Sequence, residues 1–169
     1  MSFTLSEIIG APAEDLFALT QDYSVRLQWD PFLSLAQLLD GAREPAVGVR
    51  ALCKDKRGRW METVYVSYQP PRVCAVKMTR GPWIVASFAA SWRFEPLSPD
   101  RTRVIFAYHL EARPRWLSRF LTPLLARRFA AEMRKRLVAL KRYAERTLTV
   151  RKDATGIHHI FTPAARDPS

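Results

Sequence analysis

Hydrophobic and polar residues alternate with a period of two through most of residues 3–111, as is typical of strands that bury one face. The pattern predicts a first strand at Phe3–Ile9 and six further strands after a helical segment, each ended by Gly, Pro or Asp in a turn. These six are predicted at Leu33–Leu39, Gly48–Lys54, Arg59–Tyr68, Arg72–Thr79, Trp83–Glu95 and Arg101–Glu111. Because they follow one another without helices between them, we expect one antiparallel meander.

The period changes to that of a helix between the first and second strands. Leu16 and Phe17 give a short helix its apolar face there. A second helical turn is predicted at Val25–Trp29, and it ends at Asp30 because the residue before a proline disfavours the helical conformation.

A long helix is predicted after Pro114, ending near Thr147. Its apolar residues recur at the spacing of one helix face and comprise Leu124, Leu125, Phe129, Met133, Leu137, Leu140 and Ala144. A shorter apolar stripe of Trp116, Leu117, Phe120 and Leu121 precedes Pro123, which is predicted to kink or restart the helix. Residues 148–169 are predicted to be a loose C-terminal tail.

Five short segments carry a resemblance to known proteins. They are residues 8–17 (IIGAPAEDLF), Asp22 through Trp29-Asp30-Pro31, Pro70-Pro71-Arg72, residues 92–97 (WRFEPL) and Thr102-Arg103-Val104. In these segments, and over about residues 1–147 as one domain, the sequence resembles the START-like (SRPBCC) superfamily. That superfamily includes polyketide cyclases, coenzyme Q-binding proteins and lipid-transfer domains.

The resemblance implies an α+β helix-grip fold. Such a fold has a curved antiparallel sheet of about seven strands wrapped on a long C-terminal helix, two short helices after the first strand, and a cavity between sheet and helix. Because members of one fold serve different functions, the resemblance implies a ligand-holding protein without naming the ligand. We therefore expect binding or carrying of a hydrophobic small molecule or lipid.

Candidate ligand contacts are side chains on alternate positions of the strands that form such a cavity. The candidates are Trp60, Glu62, Val64, Met78, Val85, Ser87, Ala89, Ser91, Arg93, Phe106 and Tyr108. The small residues Ser87, Ala89 and Ser91 leave room for a ligand if their face points inward. If it points outward, they are surface residues. Glu62 presents the same choice, because an inward carboxylate needs a partner such as Arg93 or a raised pKa.

Catalytic motifs are sparse in this sequence. It contains no Gly-rich phosphate loop, no Gly-x-Ser-x-Gly elbow and no metal-ligand spacing, so we expect neither a cofactor nor a metal. The residues favour a binding protein over an enzyme. An enzyme of polyketide cyclase or aromatase type is the alternative, with Glu62, Tyr108 or His109 moving protons.

The net charge of +11 is concentrated in one segment, since residues 113–152 contain 13 Lys and Arg against two acidic residues. The proposed anion contacts on the long helix are Arg127, Arg128, Arg134, Lys135, Arg136, Lys141 and Arg142. This stripe indicates peripheral contact with an anionic membrane, or a merely solvated face. RNA or a protein partner is a further alternative, ranked lower because aromatic residues for base stacking are missing from the basic face.

Two sequence features bear on the compartment. The two cysteines, Cys53 and Cys74, lie in separate predicted strands, which suggests buried thiols in a reducing environment. No stretch reaches the roughly 20 apolar residues of a membrane span, and the start lacks the pattern of a signal peptide. We expect a cytoplasmic protein that is peripheral at the membrane if the basic helix binds lipid.

Overall fold

The computed structural model describes residues 2–113 and 118–155. Ten elements follow one another along this part of the chain. They are β1 (Ser2–Ile9), α1 (Ala13–Gln21), α2 (Arg26–Trp29), β2 (Leu33–Leu38), β3 (Arg50–Asp55), β4 (Trp60–Gln69), β5 (Val73–Arg80), β6 (Val85–Ser98), β7 (Arg101–Ala112) and α3 (Ser118–Thr155). The described elements confirm the predicted α+β helix-grip fold.

The seven strands form one antiparallel sheet in the order β1-β7-β6-β5-β4-β3-β2. Strands β2 to β7 are therefore a meander, and β1 joins it by pairing with β7, with Phe3 opposite Tyr108. Three of the pairings contain bulges, at β4/β5, at β6/β7 and at β2/β3. A bulge shifts the alternation of side chains by one residue, so each bulge changes which residues face the core.

The hydrophobic core lies between the inner face of the sheet and α3. From the sheet it receives Phe88, Phe94, Val104 and Phe106 among others, and from the helix Met133, Leu137, Leu140 and Ala144. Leu140 and Ala144 are fully buried, which confirms the predicted apolar stripe at this end of the helix. At the other end Leu124 is 57% exposed, so that residue does not belong to the core.

Polar contacts hold α3 against β1 and the start of α1. The carboxylate of Glu145 accepts a hydrogen bond from the backbone N–H of Gly10 at 3.0 Å. Lys141 donates to Glu7 at 2.8 Å. Both contacts lie on the part of α3 that follows the residues lining the cavity.

The largest differences between the predicted and the observed boundaries concern α3. Helix α3 continues through Pro123 without restarting, and it ends at Thr155, so it includes the first part of the segment predicted as a loose tail. The rest of that tail, with His158 and His159, lies outside the described residues. The same is true of Trp116 and Leu117, and of the side chains of Phe120 and Leu121.

Candidate functional site

A cavity of about 360 Å³ lies between the inner face of the sheet and α3. This volume falls in the range of pockets that bind small molecules. Its apolar lining comes from five strands, the loops around them and the helix, and includes Phe32, Leu33, Met61, Val76, Ile84, Val85, Phe88, Ala90, Trp92, Phe106, Leu110, Leu125 and Phe129. In this region the side chains of the sheet and of α3 do not pack against one another across the gap, and the gap is the cavity.

Aromatic rings form a large part of the wall of this cavity. Phe129 of α3 packs edge-on against Phe88 of β6, with ring centroids 5.5 Å apart. Phe129 also meets Phe32 at 6.3 Å, and Trp92 meets Phe106 at 4.7 Å. Such rings present large apolar surfaces with little side-chain freedom, so the wall suits a hydrophobic or aromatic ligand.

A hydrogen-bonded chain of Tyr23, Tyr65 and Gln21 provides polar groups in the cavity lining. The Tyr65 hydroxyl donates to Oε1 of Gln21 at 2.9 Å and lies 3.0 Å from the Tyr23 hydroxyl. Burial raises the pKa of both tyrosines above the ordinary value. Both phenols are therefore neutral at physiological pH, and they can donate or accept hydrogen bonds but cannot act as phenolate bases.

Asp30 forms a buried ion cluster with two arginines from different elements. Its Oδ2 accepts from Nε of Arg26 at 3.2 Å and from a terminal nitrogen of Arg136 at 2.5 Å. Its Oδ1 accepts from the backbone N–H of Phe32. Burial alone would raise the pKa of Asp30, but Arg136 and Arg26 together lower it below the ordinary value. Asp30 is thus a carboxylate that ties α2 to α3.

Exposed side chains mark the opening of the cavity. Trp60 and Ile84 are exposed there, together with Arg57, Arg59 and Arg128. The buried carboxylate of Asp55 accepts from Nε of Arg59 at 2.7 Å and from the backbone N–H groups of residues 57 and 59. The opening therefore combines apolar surface with positive charge.

Both cysteines of the sequence line the cavity. Cys74 is buried and Cys53 is partly buried, and neither is in a disulfide. Burial raises the pKa of Cys53, and it raises the pKa of Cys74 to about 12. The two thiols are thus protonated at neutral pH and act as small apolar groups in the lining.

Three of the predicted ligand contacts, Trp60, Val85 and Phe106, line the cavity. Two others lie in or against the core beside it. Tyr108 is buried and its hydroxyl donates to the carbonyl oxygen of Ala126 at 3.4 Å, while Met78 is partly buried against the core.

The predicted face of β6 requires a correction. Ser87, Ala89, Ser91 and Arg93 lie on the outer face of the sheet, and Ala89 and Arg93 are exposed. The inner face carries the aromatic residues of this strand, which bury far more apolar area than serines would. Val85 nevertheless faces inward, because a bulge between Val85 and Ser87 shifts the alternation at that point.

The predicted face of β4 requires the same correction. Met61, Thr63 and Tyr65 line the cavity from the inner face, so the positions between them point outward. Glu62 lies on the outer face, where its carboxylate is 3.6 Å from the guanidinium of Arg50 and not beside Arg93. Val64 lies on the outer face as well. Neither is a candidate for contact with a ligand in the cavity.

Seven residues of α3 were predicted to form a basic stripe, and five of them are exposed. Arg127, Arg128, Arg134, Lys135 and Arg142 are exposed. Arg136 is buried and bound to Asp30, so its assignment to the basic surface is wrong. Lys141 is partly buried and engaged by Glu7. Arg136 follows Met133 by three residues and precedes Leu140 by four, which is the spacing of the apolar stripe.

Several lining residues escaped the sequence prediction, namely Gln21, Tyr23, Arg26, Cys53 and Tyr65. The first three lie in or next to the helices after β1, and the prediction considered strands only. Arg26 and Asp30 are four residues apart at the end of a helical turn, a spacing that favours an ion pair and was available in the sequence.

Residues 2–113 and 118–155 contain no group of three or more residues that could hold a metal ion. No helix in the same part of the chain is long and apolar enough to cross a bilayer.

Fold and cavity together define a START-like helix-grip protein with an apolar cavity. The sequence of residues 1–145 matches the family described as polyketide cyclase/dehydrase and lipid transport. The chain belongs to this family. No curated protein matches the sequence.

Solved structures show the same fold. The Zhui aromatase/cyclase from Streptomyces sp. R1128 superposes with a TM-score of 0.72 and 16% identity over 88% of this chain and 95% of that one. A START superfamily protein from Mycobacterium smegmatis gives a TM-score of 0.61 and 15% identity, over 82% of this chain and 98% of its own.

The di-domain aromatase/cyclase BexL from the BE-7585A biosynthetic pathway gives a TM-score of 0.70 and 14% identity over 86% of this chain. This chain spans 46% of the length of BexL, about one of its two domains. All three likenesses concern the fold, since the identities are low.

Proposed function

We propose that the protein binds and carries a hydrophobic small molecule or lipid in the cavity between the sheet and α3. The observation that carries the proposal is the cavity of about 360 Å³, lined by aromatic and aliphatic side chains from sheet and helix alike. Each methylene moved from water into apolar surroundings contributes about 0.8 kcal/mol. Affinity should therefore rise with the apolar size of the ligand until the cavity is full.

The two cysteines allow a direct test, because both line the cavity and no other thiol is present in the sequence. We expect decanamide or 2-naphthamide, both uncharged, to slow the modification of Cys53 and Cys74 by N-ethylmaleimide. The measurement is the rate of mass increase of the intact protein, with peptide mapping to separate the two thiols.

Unfolded protein in urea is the control, since its thiols should react at the same rate with and without the probe. A folded protein whose two thiols react equally fast with and without either probe, across their soluble range, would contradict the proposal.

The fold relationship to aromatase/cyclases supports a second candidate function, an enzyme of polyketide cyclase type. The three residues predicted to transfer protons do not lie together in the cavity. Glu62 and His109 lie on the outer face of the sheet, and the Tyr108 hydroxyl donates to a backbone carbonyl. The neutral Tyr23 hydroxyl donates to Tyr65, which in turn donates to Gln21, so its oxygen can still accept a hydrogen bond and would orient a substrate hydroxyl. Recovery of an unmodified ligand favours the carrier, and turnover of a polyketide-like substrate favours the enzyme.

We also propose that the protein contacts an anionic membrane. Arg127, Arg134 and Arg142 are exposed on one face of α3. Trp60 and Ile84 are exposed at the opening of the cavity, and amphipathic or apolar side chains near basic residues are typical of surfaces that rest on anionic lipid. A ligand could then pass between bilayer and cavity without crossing water.

Charge reversal tests this contact. We expect the triple change Arg127→Glu, Arg134→Glu and Arg142→Glu to weaken binding to vesicles containing phosphatidylserine by at least about tenfold, since each basic residue near such a surface contributes about 1 kcal/mol. Cosedimentation at increasing NaCl concentrations measures the effect.

The matched control changes the same charge elsewhere, on exposed arginines of loops and strands: Arg43→Glu, Arg72→Glu and Arg93→Glu. Equal losses in both triple variants would indicate a general effect of net charge. Unchanged vesicle binding in the α3 variant would remove membrane contact from the proposal.

A further inference from the structure

The cavity lining has an excess of positive charge. Its charged residues are Arg26, Arg57, Arg59, Arg128 and Arg136 against Asp55 and Glu132. An uncompensated charge in a largely apolar cavity is costly, and a bound counter-ion lowers that cost. The lining therefore has a preference for ligands that carry negative charge.

The excess of positive charge is largest at the buried ion cluster of Arg26, Asp30 and Arg136. Two guanidiniums, those of Arg26 and Arg136, share the single carboxylate of Asp30, so the cluster retains one net positive charge. The side chains of both arginines are only 10% exposed. Both line the cavity. A screening ion from solvent has little access to such a pair.

Arg136 also has an unused donor. Its terminal nitrogens meet Asp30 and the sulfur of Met133, a weak acceptor. Its Nε is buried without an acceptor among the described residues. A buried donor left unpaired costs free energy that a hydrogen bond to a ligand would recover.

The two carboxylates of the lining, those of Asp55 and Glu132, already have cations of their own. Asp55 accepts from Arg59 at 2.7 Å, and Glu132 lies 3.6 Å from Lys135. They do not compensate the cluster around Asp30. A ligand with a negative charge would supply that compensation.

Building on the proposed function, we infer that the ligand is an apolar molecule ending in a carboxylate, which binds at Arg26 and Arg136 while its hydrophobic part lies along the aromatic wall. Fatty acids and aromatic acids share this chemistry. Hydrogen bonds between a guanidinium and a carboxylate are charge-assisted and stronger than those to a neutral amide. The acid should therefore bind about tenfold or more tightly than its amide of equal shape.

The test compares matched pairs on the unaltered protein. Isothermal titration at pH 7.5 measures decanoate against decanamide, and 2-naphthoate against 2-naphthamide. We expect about a tenfold advantage of the acid in at least one pair, and the pair that shows it identifies an aliphatic or an aromatic ligand. Acid and amide of equal affinity would overturn the inference and leave the proposed function standing. No binding of any of the four probes would overturn the proposed function itself.

A substitution at Arg136 tests which arginine makes the acid bind more tightly than its amide. Arg136→Gln should abolish the preference for the acid and leave the affinity for the amide, whereas Arg134→Gln, exposed two residues earlier on α3, should leave both unchanged. A preference that persists in a folded Arg136→Gln protein would assign it to the exposed arginines at the opening and overturn the inference. If Arg136→Gln does not fold, titration of the unaltered protein at high salt distinguishes the buried arginines from the exposed ones. The acid's advantage should survive 1 M NaCl at the buried pair and vanish if exposed arginines cause it.

Discussion

Replacing Asp30 by Asn is expected to lower the free energy of unfolding by about 3–5 kcal/mol at pH 7, as is typical when one partner of a buried ion pair is removed. The Asp30 side chain has no exposed surface, and Asn leaves the guanidiniums of Arg26 and Arg136 without a counter-charge. The ties of α2 to α3 and to the cavity wall would weaken together. Urea denaturation followed by circular dichroism measures the change.

The control is Asp40→Asn, because Asp40 also pairs with an arginine, at 2.7 Å from Arg50, but on the exposed surface. Exposed pairs contribute little, so this variant should unfold nearly as the unaltered protein does. Equal destabilisation by the two variants would contradict the account of the cluster.

The Asp30 effect should depend on pH with a definite sign. The folded protein lowers the pKa of Asp30, so the stability it contributes is present above the ordinary Asp pKa of about 3.9 and is lost as the pH falls through the lowered value. The difference in unfolding free energy between the unaltered protein and Asp30→Asn should therefore be constant near neutrality and shrink only below about pH 4. Other carboxylates titrate in both proteins and cancel in the difference.

Filling the cavity with a larger side chain is expected to abolish ligand binding. Ala90 lies on the inner face of β6 and lines the cavity. A phenylalanine there would occupy space that the ligand needs. Displacing three methylenes from apolar contact costs about 2.4 kcal/mol, so Ala90→Phe should weaken binding of decanamide by about fiftyfold or more. Isothermal titration measures the affinity.

The adjacent residue supplies the matched control. Ala89 is the same residue type on the same strand, but it is exposed on the outer face. Ala89→Phe should bind decanamide as the unaltered protein does. Unfolding curves of both variants show whether each remains folded, since the ring at position 90 enters existing space instead of packed core. Loss of binding in Ala89→Phe, or its retention in Ala90→Phe, would place the ligand elsewhere.

The fold followed from the sequence because its strongest signals are local. Alternation gave all six strands of the meander to within a few residues, and the apolar stripe from Met133 to Ala144 gave the core face of α3. The arrangement of the sheet around the last helix was implied by the resemblance to the START-like superfamily, not by the periodicity.

The lining of the cavity followed less well, because it depends on which face of each strand turns inward. On β6 both faces have small residues near the centre. The face with Phe88, Trp92 and Phe94 turns inward because these aromatic side chains bury the larger apolar area. Bulges near Val85 and near Val66 also shift the alternation of inward and outward side chains, and the position of a bulge cannot be predicted from the hydrophobic pattern of one sequence.

The ion cluster shows a different limit of sequence reasoning. Arg136 is charged and lies among other basic residues, so composition placed it on the surface. Its position on the apolar stripe was the better guide, but its partner Asp30 lies 106 residues away in the chain. A contact of that separation is set by the tertiary fold, and only the structure brings the two residues together.

The most direct test of a ligand-holding cavity is native mass spectrometry of the protein purified from the organism that encodes it, followed by solvent extraction. The account predicts an added mass that is released on denaturation, an apolar acid in the extract, and neither in the Ala90→Phe variant. A protein that carries no small molecule under conditions that preserve non-covalent complexes would contradict it.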